Sequence, residues 1–299
     1  MMGPFEGMSW GASARRLEAL GYSTLFVPDH FHEGLGPITA MATAATATTT
    51  LKVAPMVFNT DLRHPAVLAR ELASIDILSE GRLEVGLGAG YNPLDYRRSG
   101  IAMDPPSVRV DRLIEHATVL RALWRNEPTN FKGVHYRIED LDGTPKPFTP
   151  GGPPLLIGGG GKRMLRFAAQ HADIIGVNVA LPSAPDETSA RDGLPASIDA
   201  KFERIRVDAG ERFDDLEFSA WLSVCRVTDD ALAIGQRLSK RFGAPADEVL
   251  ASPLILAGSV GEMVDHLEVR RQRWGYSYFV VQQSVIDEFA PVVEALTGM

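Results

Sequence analysis

Short apolar runs alternate with helix-type patterns along the whole chain. The runs are mostly continuous rather than strictly alternating, which is typical of strands buried on both faces of a sheet. The seven runs cover residues 22–28, 51–59, 82–87, 154–157, 173–179, 217–225 and 276–282. The pattern therefore predicts buried strands separated by other elements.

Between these strands, apolar residues recur with helical spacing. The predicted helices cover residues 11–20, 38–50, 65–78, 106–124, 162–171, 198–209, 229–242 and 260–274. Gly21 follows the first helix as a C′ residue, and Pro65 opens the third at N1, where its missing N–H costs nothing. Alternating strands and helices predict an α/β protein with a parallel sheet, either doubly wound or closed as a barrel.

A (β/α)₈ barrel needs one strand more than the pattern supplies. Only residues 1–10 precede the first helix, and the glycines and proline at 3–7 are typical of a loop. We therefore expect a first strand that is degenerate or missing, as it would be if the natural start of the chain lay upstream.

Two segments interrupt the alternation inside what we expect to be one domain over residues 1–299. Residues 101–149 form an insertion with a predicted hairpin at 130–140, and the polar residues 186–194 indicate a mobile loop. We expect the insertion and the loop at 180–195 to determine which substrate is bound.

Composition narrows the class of protein. Hydrophobic residues make up 45% of the 299 and charged residues 23%, which excludes a disordered or collagen-like chain. The 30 basic and 38 acidic residues give a net charge of −8, so nucleic acid is not an expected partner. A single cysteine, Cys225, excludes a disulfide framework and a cysteine zinc site. No apolar run approaches the roughly 20 residues of a membrane span, and no signal-peptide pattern is present, so we expect a cytoplasmic protein.

The strongest chemical signal is a run of four glycines between a predicted strand and a predicted helix. Glycine lets a ligand approach the backbone, and the helix N-terminus that follows offers free N–H groups and the positive end of a dipole. We therefore predict phosphate binding at this glycine turn (residues 158–161), with Lys162 or Arg163 as additional charge. The turn consists of Gly158, Gly159, Gly160 and Gly161.

A second glycine-rich stretch, residues 86–90, does not have the spacing of a dinucleotide-binding loop. Two interpretations stay open from the residues alone. The glycines make room for a bulky planar ligand, or they relieve crowding at a barrel corner.

Histidines follow the first predicted strand at positions 30 and 32. An H-x-H pair at a strand end also opens the metal site of amidohydrolases, but the later strand ends offer no further ligands, so we expect no metal. His30 is instead the candidate site acid or hydrogen-bonding group, and His32 is expected at the surface. Asp29 either orients His30 or caps a turn. We expect Arg63 to form a surface ion pair at a helix entry, and the histidines at 116, 135, 171 and 266 to be structural.

Several motifs, taken together, resemble the bacterial luciferase-like superfamily of flavin and deazaflavin enzymes. They are ALGY at 19–22, VPDH at 27–30, LRHPAVLAR at 62–70, LSEGRLEVGLGAGYN at 78–92, FKGVHY at 131–136 and PPLLIGG at 153–159. Within that superfamily, the chain is most similar to the coenzyme F420-dependent oxidoreductases.

The resemblance implies a TIM-like (β/α)₈ barrel with a flavin-type cofactor at the strand ends. It implies that Asp29 and His30 form the dyad of these enzymes, with His30 over the deazaflavin ring and catalytic. It also implies a non-prolyl cis peptide between Met56 and Val57 that backs the ring. The implied cofactor-binding residues further include Asn59, Ala89, Gly90, Tyr91, Asn92 and the four glycines of the glycine turn.

Three functions stay open at this point. The chain is an oxidoreductase that transfers a hydride between coenzyme F420 and a small organic substrate, an FMN-dependent monooxygenase, or a non-catalytic flavin-binding protein. We expect neither a membrane nor a nucleic acid as partner, and a homodimer is an assembly state that the sequence leaves open. The same cradle for one phosphate serves both cofactors, so the sequence does not separate them.

Overall fold

The computed structural model describes residues 1–180 and 187–297, which form a mixed α/β structure. Its strands are β1 (Thr24–Val27), β2 (Lys52–Pro55), β3 (Phe58–Asn59), β4 (Val85–Gly88), β5 (Thr129–Lys132), β6 (Arg137–Leu141), β7 (Leu155–Gly159), β8 (Ile174–Val177), β9 (Glu217–Trp221), β10 (Val224–Val227), β11 (Ile255–Gly258) and β12 (Tyr276–Val280).

Helices follow most of these strands. They are α1 (Trp10–Ala19), α2 (Pro37–Ala47), α3 (Pro65–Leu78), α4 (Pro93–Ser99), α5 (Pro106–Leu123), α6 (Lys162–His171), α7 (Glu187–Arg191), α8 (Pro195–Ala209), α9 (Ala231–Phe242), α10 (Ala246–Leu250), α11 (Val260–Trp274) and α12 (Ile286–Leu296). Short 3₁₀ turns lie at Thr60–Leu62, Gly210–Asp215 and Gln283–Val285.

The chain divides into two compact units, Met1–Leu156 and Ile157–Met299. In the first unit, β1 pairs in parallel with β2, and β3 pairs in parallel with β4. An isolated parallel bridge between Val53 and Leu83 links β2 to the segment that leads into β4. The carboxyl ends of successive parallel strands lie at the same edge of the sheet. The candidate site residues of this unit lie at that edge.

In the second unit, β8 and β12 pair in parallel with β9 on either side, and β10 pairs in parallel with β11. The last residues of β7 lie beside β8, where the Asn178 N–H donates to the Gly159 carbonyl oxygen over 3.1 Å. Most inward-facing positions of β8, β9 and β11 are buried, as expected of strands covered on both faces.

The alanine- and threonine-rich helix α2 packs closely because its side chains are small. Ala40, Ala44 and Ala45 are buried, and the Trp10 indole N–H of α1 donates to the Ala40 carbonyl oxygen over 2.7 Å. A Cβ at Gly11 would lie 3.2 Å from the Ala47 Cβ, so α1 can approach α2 this closely only without a side chain there.

Several predicted elements are confirmed. Helices α3, α6 and α11 begin and end at the predicted residues, and β5 and β6 form the predicted antiparallel hairpin. The single strands predicted at 51–59 and 217–225 are wrong in detail, because each is two strands in the structure. The sequence interpretation missed β11 and the helices α4, α7, α10 and α12.

The expectation for the first strand is confirmed, because residues 1–9 form none. Hydrogen bonds nevertheless hold this segment to β1 and to the loop that follows it. The α-amino group of Met1 donates to the Phe26 carbonyl oxygen, and the Leu35 N–H donates to the Met2 carbonyl oxygen over 2.9 Å.

The predicted loop at 186–194 is wrong in part, because residues 187–191 form α7. Residues 181–186 of the predicted substrate loop lie outside the described residues. Within the described ranges, no helix is both long and apolar enough to cross a membrane.

Candidate active site

His30 lies three residues beyond β1, and its imidazole is held by a carboxylate from α4. Its Nδ1 is 2.6 Å from Asp95 Oδ2, and the Phe31 N–H donates to the other oxygen, Asp95 Oδ1, over 3.0 Å. Asp95 is only 4% exposed. One buried carboxylate therefore binds both the side chain and the backbone of the loop that carries His30.

Two rings surround the His30 imidazole. The Tyr91 ring meets it edge to face at 5.6 Å between centroids, and the His32 ring lies at 5.2 Å. Partial burial of the Tyr91 hydroxyl, together with the charge of Asp95, raises the pKa of that hydroxyl. His30 Nε2 has no protein hydrogen bond among the residues described, so it is the nitrogen available to a ligand.

Asp29 does not orient His30, and that part of the prediction is wrong. Its carboxylate receives two hydrogen bonds from the Arg63 guanidinium, at 2.6 and 2.9 Å, and a third from the Asn59 N–H at 3.0 Å. Arg63 is correspondingly not in the surface ion pair that we expected, because Asp29 is 5% exposed. The pair ties the end of β1 to the end of β3.

The Asn59 side chain is also engaged within the protein. Its amide donates to the Tyr96 hydroxyl over 3.2 Å, and its oxygen accepts from the Asp61 N–H over 3.0 Å. The Tyr96 hydroxyl in turn donates to Asp61 Oδ2 over 2.8 Å. Burial, and then the hydrogen bond to Asp61, raise the pKa of Tyr96 to about 12. Tyr96 is thus neutral, and its hydroxyl links α4 to the residues at the end of β3.

Two arginines of α5 extend this network. Arg112 donates to Asp61 over 2.6 Å and to Asp104. Arg109, which is buried, donates to the carbonyl oxygens of Ala89, over 2.9 Å, and Gly90. The carbonyls of the segment after β4 therefore point toward α5.

The Met56–Val57 peptide is cis, as predicted. Val57 fills the space above two glycines of β4. A Cβ at Gly88 would overlap the Val57 side chain, and a Cβ at Gly86 would overlap both Val57 and the Pro55 carbonyl oxygen. The room at these glycines is therefore occupied by the neighbouring strand, so the interpretation that it holds a planar ligand is wrong for Gly86 and Gly88.

The remaining predicted residues of this unit lie between β4 and α4. Gly90 has a φ of 70°, and a Cβ there would overlap the Tyr96 hydroxyl and the Asn59 amide. Asn92 caps α4, since its side-chain oxygen accepts from the Leu94 N–H over 3.1 Å. The structure thus brings together the predicted site residues of the first unit, which are Asp29, His30, Met56, Val57, Asn59, Ala89, Gly90, Tyr91 and Asn92.

The glycine turn belongs to the second unit. Gly158 and Gly159 end β7, and Gly161 is the N-cap of α6 with no side chain to satisfy the first N–H groups of the helix. No acidic residue lies in the first turn, and a Cβ at Gly161 would meet open space. A helix start without a capping side chain or an acidic residue has the chemistry of a phosphate cradle.

Gly160 has a different reason to be glycine. A Cβ there would overlap the backbone of Asn178 and Val179, which follow β8. That backbone is fixed by Lys201, which is 4% exposed. Its ammonium donates to the Asn178 carbonyl oxygen over 2.7 Å and to Asp192 Oδ2 over 2.7 Å. Burial lowers the pKa of Lys201, and the hydrogen bond to Asp192 opposes that effect.

His116 and His64 have structural contacts away from His30. His116 is fully buried, with its Nδ1 3.3 Å from the Tyr136 hydroxyl. Burial, and then the nearby His64, lower the pKa of His116 to about 3. His64 accepts from the Ala66 N–H at the start of α3. Over residues 1–180 and 187–297, no three histidine, cysteine, aspartate or glutamate side chains cluster as metal ligands do.

Sequence reasoning missed Asp95, Tyr96, Arg109 and Lys201. Asp95 and Tyr96 lie on α4, a seven-residue helix too short for periodicity to reveal. The available signal was Asn92-Pro93, an N-cap residue followed by a proline at N1. Lys201 lies on a predicted helix, where a lysine is ordinarily exposed.

Comparison with known proteins relates the chain to one family. The family model described as luciferase-like monooxygenase matches residues 9–233. The chain is 25% identical to an F420-dependent glucose-6-phosphate dehydrogenase of Intrasporangium calvum, over 95% of this chain and 93% of that protein. It is 30% identical to the pyrimidine monooxygenase RutA of Methylobacterium radiotolerans, over 76% of this chain and 60% of that protein.

A solved structure gives a similar result. An F420-dependent secondary alcohol dehydrogenase, in complex with an F420-acetone adduct, superposes with a TM-score of 0.73 at 21% identity. The match covers 96% of this chain and 94% of that one. At this identity the likeness concerns the fold.

Proposed function

The chain belongs to the luciferase-like monooxygenase family and has its TIM-barrel type of α/β fold, and we propose that it uses coenzyme F420 to transfer a hydride to or from a small organic substrate. The family contains flavin- and deazaflavin-dependent oxidoreductases, and this chain is such an oxidoreductase. The relatives named above include F420-dependent dehydrogenases, which supports the deazaflavin over FMN.

The observation that carries the proposal is the hydrogen bonding of the His30 imidazole. The imidazole lies three residues beyond β1, is anchored through Nδ1, and has no hydrogen-bond partner at Nε2 among the described residues. Its side chain is 21% exposed, so a ligand at the strand ends can reach it. These are the properties of a group that exchanges a proton with a substrate while neighbouring residues hold it in place.

The residues present fit a flavin-type cofactor. The Val57 side chain is locked between the glycines of β4, and the Arg109 guanidinium fixes the segment at Ala89 and Gly90, so this edge of the first unit presents a rigid surface. When bound, the cofactor supplies the ring that carries the hydride. His30 takes up or returns the proton that accompanies hydride transfer at the substrate, and Tyr91 limits the movement of the imidazole.

The glycine turn is the proposed phosphate site. Gly161 has no side chain that could cap the first N–H groups of α6, and Lys162 and Arg163 follow in the first helical turn. The N–H groups would donate to phosphate oxygens, and the dipole of α6 would add to the attraction.

The alternative is an FMN-dependent monooxygenase, which the resemblance to pyrimidine monooxygenases supports. A phosphate cradle and a histidine at the strand ends serve either cofactor. The third interpretation, a non-catalytic flavin-binding protein, has less support because the named relatives are enzymes.

A binding measurement separates the first two functions. Purified protein is titrated with oxidised F420 and, separately, with FMN, and each dissociation constant is measured from the change in cofactor fluorescence. We expect F420 to bind at least tenfold more tightly. Tighter binding of FMN would favour the monooxygenase, and binding of neither would refute both.

A further inference from the structure

The carboxylate of Asp95 is the only hydrogen-bonding partner of the His30 imidazole among the described side chains. An aspartate carboxylate accepts hydrogen bonds and, when ionised, donates none. At 2.6 Å from Asp95 Oδ2, His30 Nδ1 must carry the proton that they share. The neutral imidazole is then the Nδ1–H tautomer, and its Nε2 has a lone pair.

The fold holds Asp95 so that it faces His30. Asn92 caps the start of α4, and Gly100 ends the helix with a φ of 74°, in the left-handed region. The next residue, Tyr96, is anchored through its hydroxyl to Asp61. The second carboxylate oxygen of Asp95 receives the Phe31 N–H, so the carboxylate does not rotate freely.

The two groups are also far apart in sequence and close in space, 65 positions separating His30 from Asp95. Asp29, the neighbour of His30 in the chain, is fully engaged by Arg63 and Asn59. The structure therefore has two buried aspartates in this region with separate tasks.

We propose that Asp95 is the positioning residue of His30, which fixes the Nδ1–H tautomer and presents Nε2 as a hydrogen-bond acceptor. The proposal rests on the proposed function for its catalytic consequence. When the imidazole is neutral, Nε2 would accept the hydrogen of an O–H or N–H group on the substrate and would take up that proton while the hydride passes from the neighbouring carbon to the F420-type cofactor of the proposed function. The proton returns to the substrate from the imidazolium when the hydride moves in the opposite direction.

The first test needs no cofactor and no substrate. Protein labelled with ¹⁵N at histidine is studied by NMR at a pH where His30 is neutral, and the His30 signals are assigned from their loss in His30→Gln. Protonated and lone-pair nitrogens of imidazole differ strongly in ¹⁵N chemical shift, so the tautomer is read directly. We expect at least nine-tenths Nδ1–H in the unmodified protein. A majority of Nε2–H would overturn the proposal.

The Asp95→Asn variant supplies the comparison. Its amide can donate to Nδ1, which permits the Nε2–H tautomer, so the ratio of Nδ1–H to Nε2–H should fall more than tenfold. Glu33→Gln removes a negative charge from the same loop without touching the imidazole and should leave the ratio unchanged. Near-UV circular dichroism shows that each variant is folded, and the unmodified protein provides a decisive result even if Asp95→Asn does not fold.

The second test uses the loaded enzyme. We expect Asp95→Asn to lower the rate of single-turnover hydride transfer by about 10²-fold or more, as loss of the correct tautomer does in other histidine–aspartate pairs, and to change the cofactor dissociation constant less than twofold. Cofactor binding by the unmodified protein with no tautomer change in the variant would overturn the role of Asp95. A tautomer change without any cofactor binding would instead refute the proposed function and leave the pairing intact.

Discussion

The Arg63 guanidinium donates to both carboxylate oxygens of Asp29, at 2.6 and 2.9 Å, and thereby links the end of β1 to the start of α3. The Asn59 N–H reaches the same carboxylate. In the sequence, Asp29 has the position of a catalytic dyad member. Its contacts with Arg63 and Asn59 are instead structural, because they hold neighbouring segments at the strand ends together.

We therefore expect Arg63→Ala to destabilise the protein. Removal of one partner leaves a buried charge uncompensated, which costs about 3 kcal/mol. Lysine keeps the charge but loses the paired geometry, so Arg63→Lys should lose about half as much. Urea unfolding measures both variants, and a loss below about 1 kcal/mol in Arg63→Ala would show that the pair is solvated rather than structural.

His30 should matter for the reaction rather than for binding. If it exchanges the substrate proton, His30→Ala should reduce turnover by about 10²–10⁴-fold with little change in cofactor affinity. His32→Ala, with its ring at the surface, should change little. Single-turnover rates and dissociation constants are measured for both. If His30 only packs against the ring, affinity and rate fall together and modestly, and His30→Phe recovers most of the activity.

The glycine turn is tested at Gly161 rather than at Gly160. A Cβ at Gly161 meets open space, whereas one at Gly160 overlaps the backbone after β8 and would disturb the local fold. Gly161→Val should weaken cofactor binding at least tenfold and cost no more than about 1 kcal/mol of stability, because valine is a poorer N-cap residue than glycine. Gly261→Ala on α11, where a Cβ is also unhindered, is the matched control and should bind normally. Unchanged affinity in Gly161→Val would exclude the turn as the phosphate site.

Lys201 should stabilise the backbone at Asn178, which packs against Gly160 of the glycine turn. Lys201→Met removes the ammonium from the Asn178 carbonyl oxygen and leaves the Asp192 carboxylate with the Ala180 N–H but no opposite charge, which we expect to cost about 2–4 kcal/mol. Lys201→Arg restores a donor and should recover part of the loss. The measurement is urea unfolding combined with cofactor titration. Full stability in Lys201→Met would mean that water replaces the ammonium without cost.

His116 should make the protein sensitive to acid. Its pKa is lowered to about 3 in the folded state, against an ordinary value of 6.5. Between these values the unfolded chain binds a proton at this residue and the folded chain does not. The free energy of unfolding therefore falls as the pH falls from about 6.5 toward 3, by about 1.4 kcal/mol per pH unit from this group.

One variant isolates that contribution. His116→Gln removes the titrating group and keeps a polar contact for Tyr136, so the slope of its unfolding free energy against pH should be smaller by about 1.4 kcal/mol per pH unit, the contribution of one proton. Urea unfolding at pH 7.5, 6.0 and 5.0 gives the slopes, and parallel curves for the variant and the unmodified protein would refute the assignment.

Local signals predicted only some of the helices. Pro65 at N1 marks the start of α3, whereas the short helices α4, α7 and α10 and the C-terminal helix α12 were missed. The structure adds a second signal of this kind, the capping box of Ser259 and Glu262 at the start of α11. The apolar run at 217–225 contains no proline or glycine, whereas Pro55 in the run at 51–59 is the last residue of β2 and was a boundary signal that the interpretation did not use. Periodicity reports burial and not pairing, so it does not reveal where a chain leaves one neighbouring strand for another.

The candidate site, like the fold, was predictable only where the sequence carries a local signal. His30 was found because its place after a strand is a local property. Its partner Asp95 was not, because the contact depends on a tertiary arrangement over 65 positions. Asp29 was assigned a role next to His30 by sequence adjacency, and the structure gives that role to a residue from a different element.

The contact between Val57 and Gly88 has a consequence for how this protein can vary. Since the Val57 side chain occupies the place of a Cβ at position 88, that position can accept a larger residue only if position 57 becomes smaller. We therefore expect natural relatives that carry a side chain at position 88 to have a smaller residue at position 57. An engineer who wishes to reshape this strand end must therefore redesign both positions as a single unit.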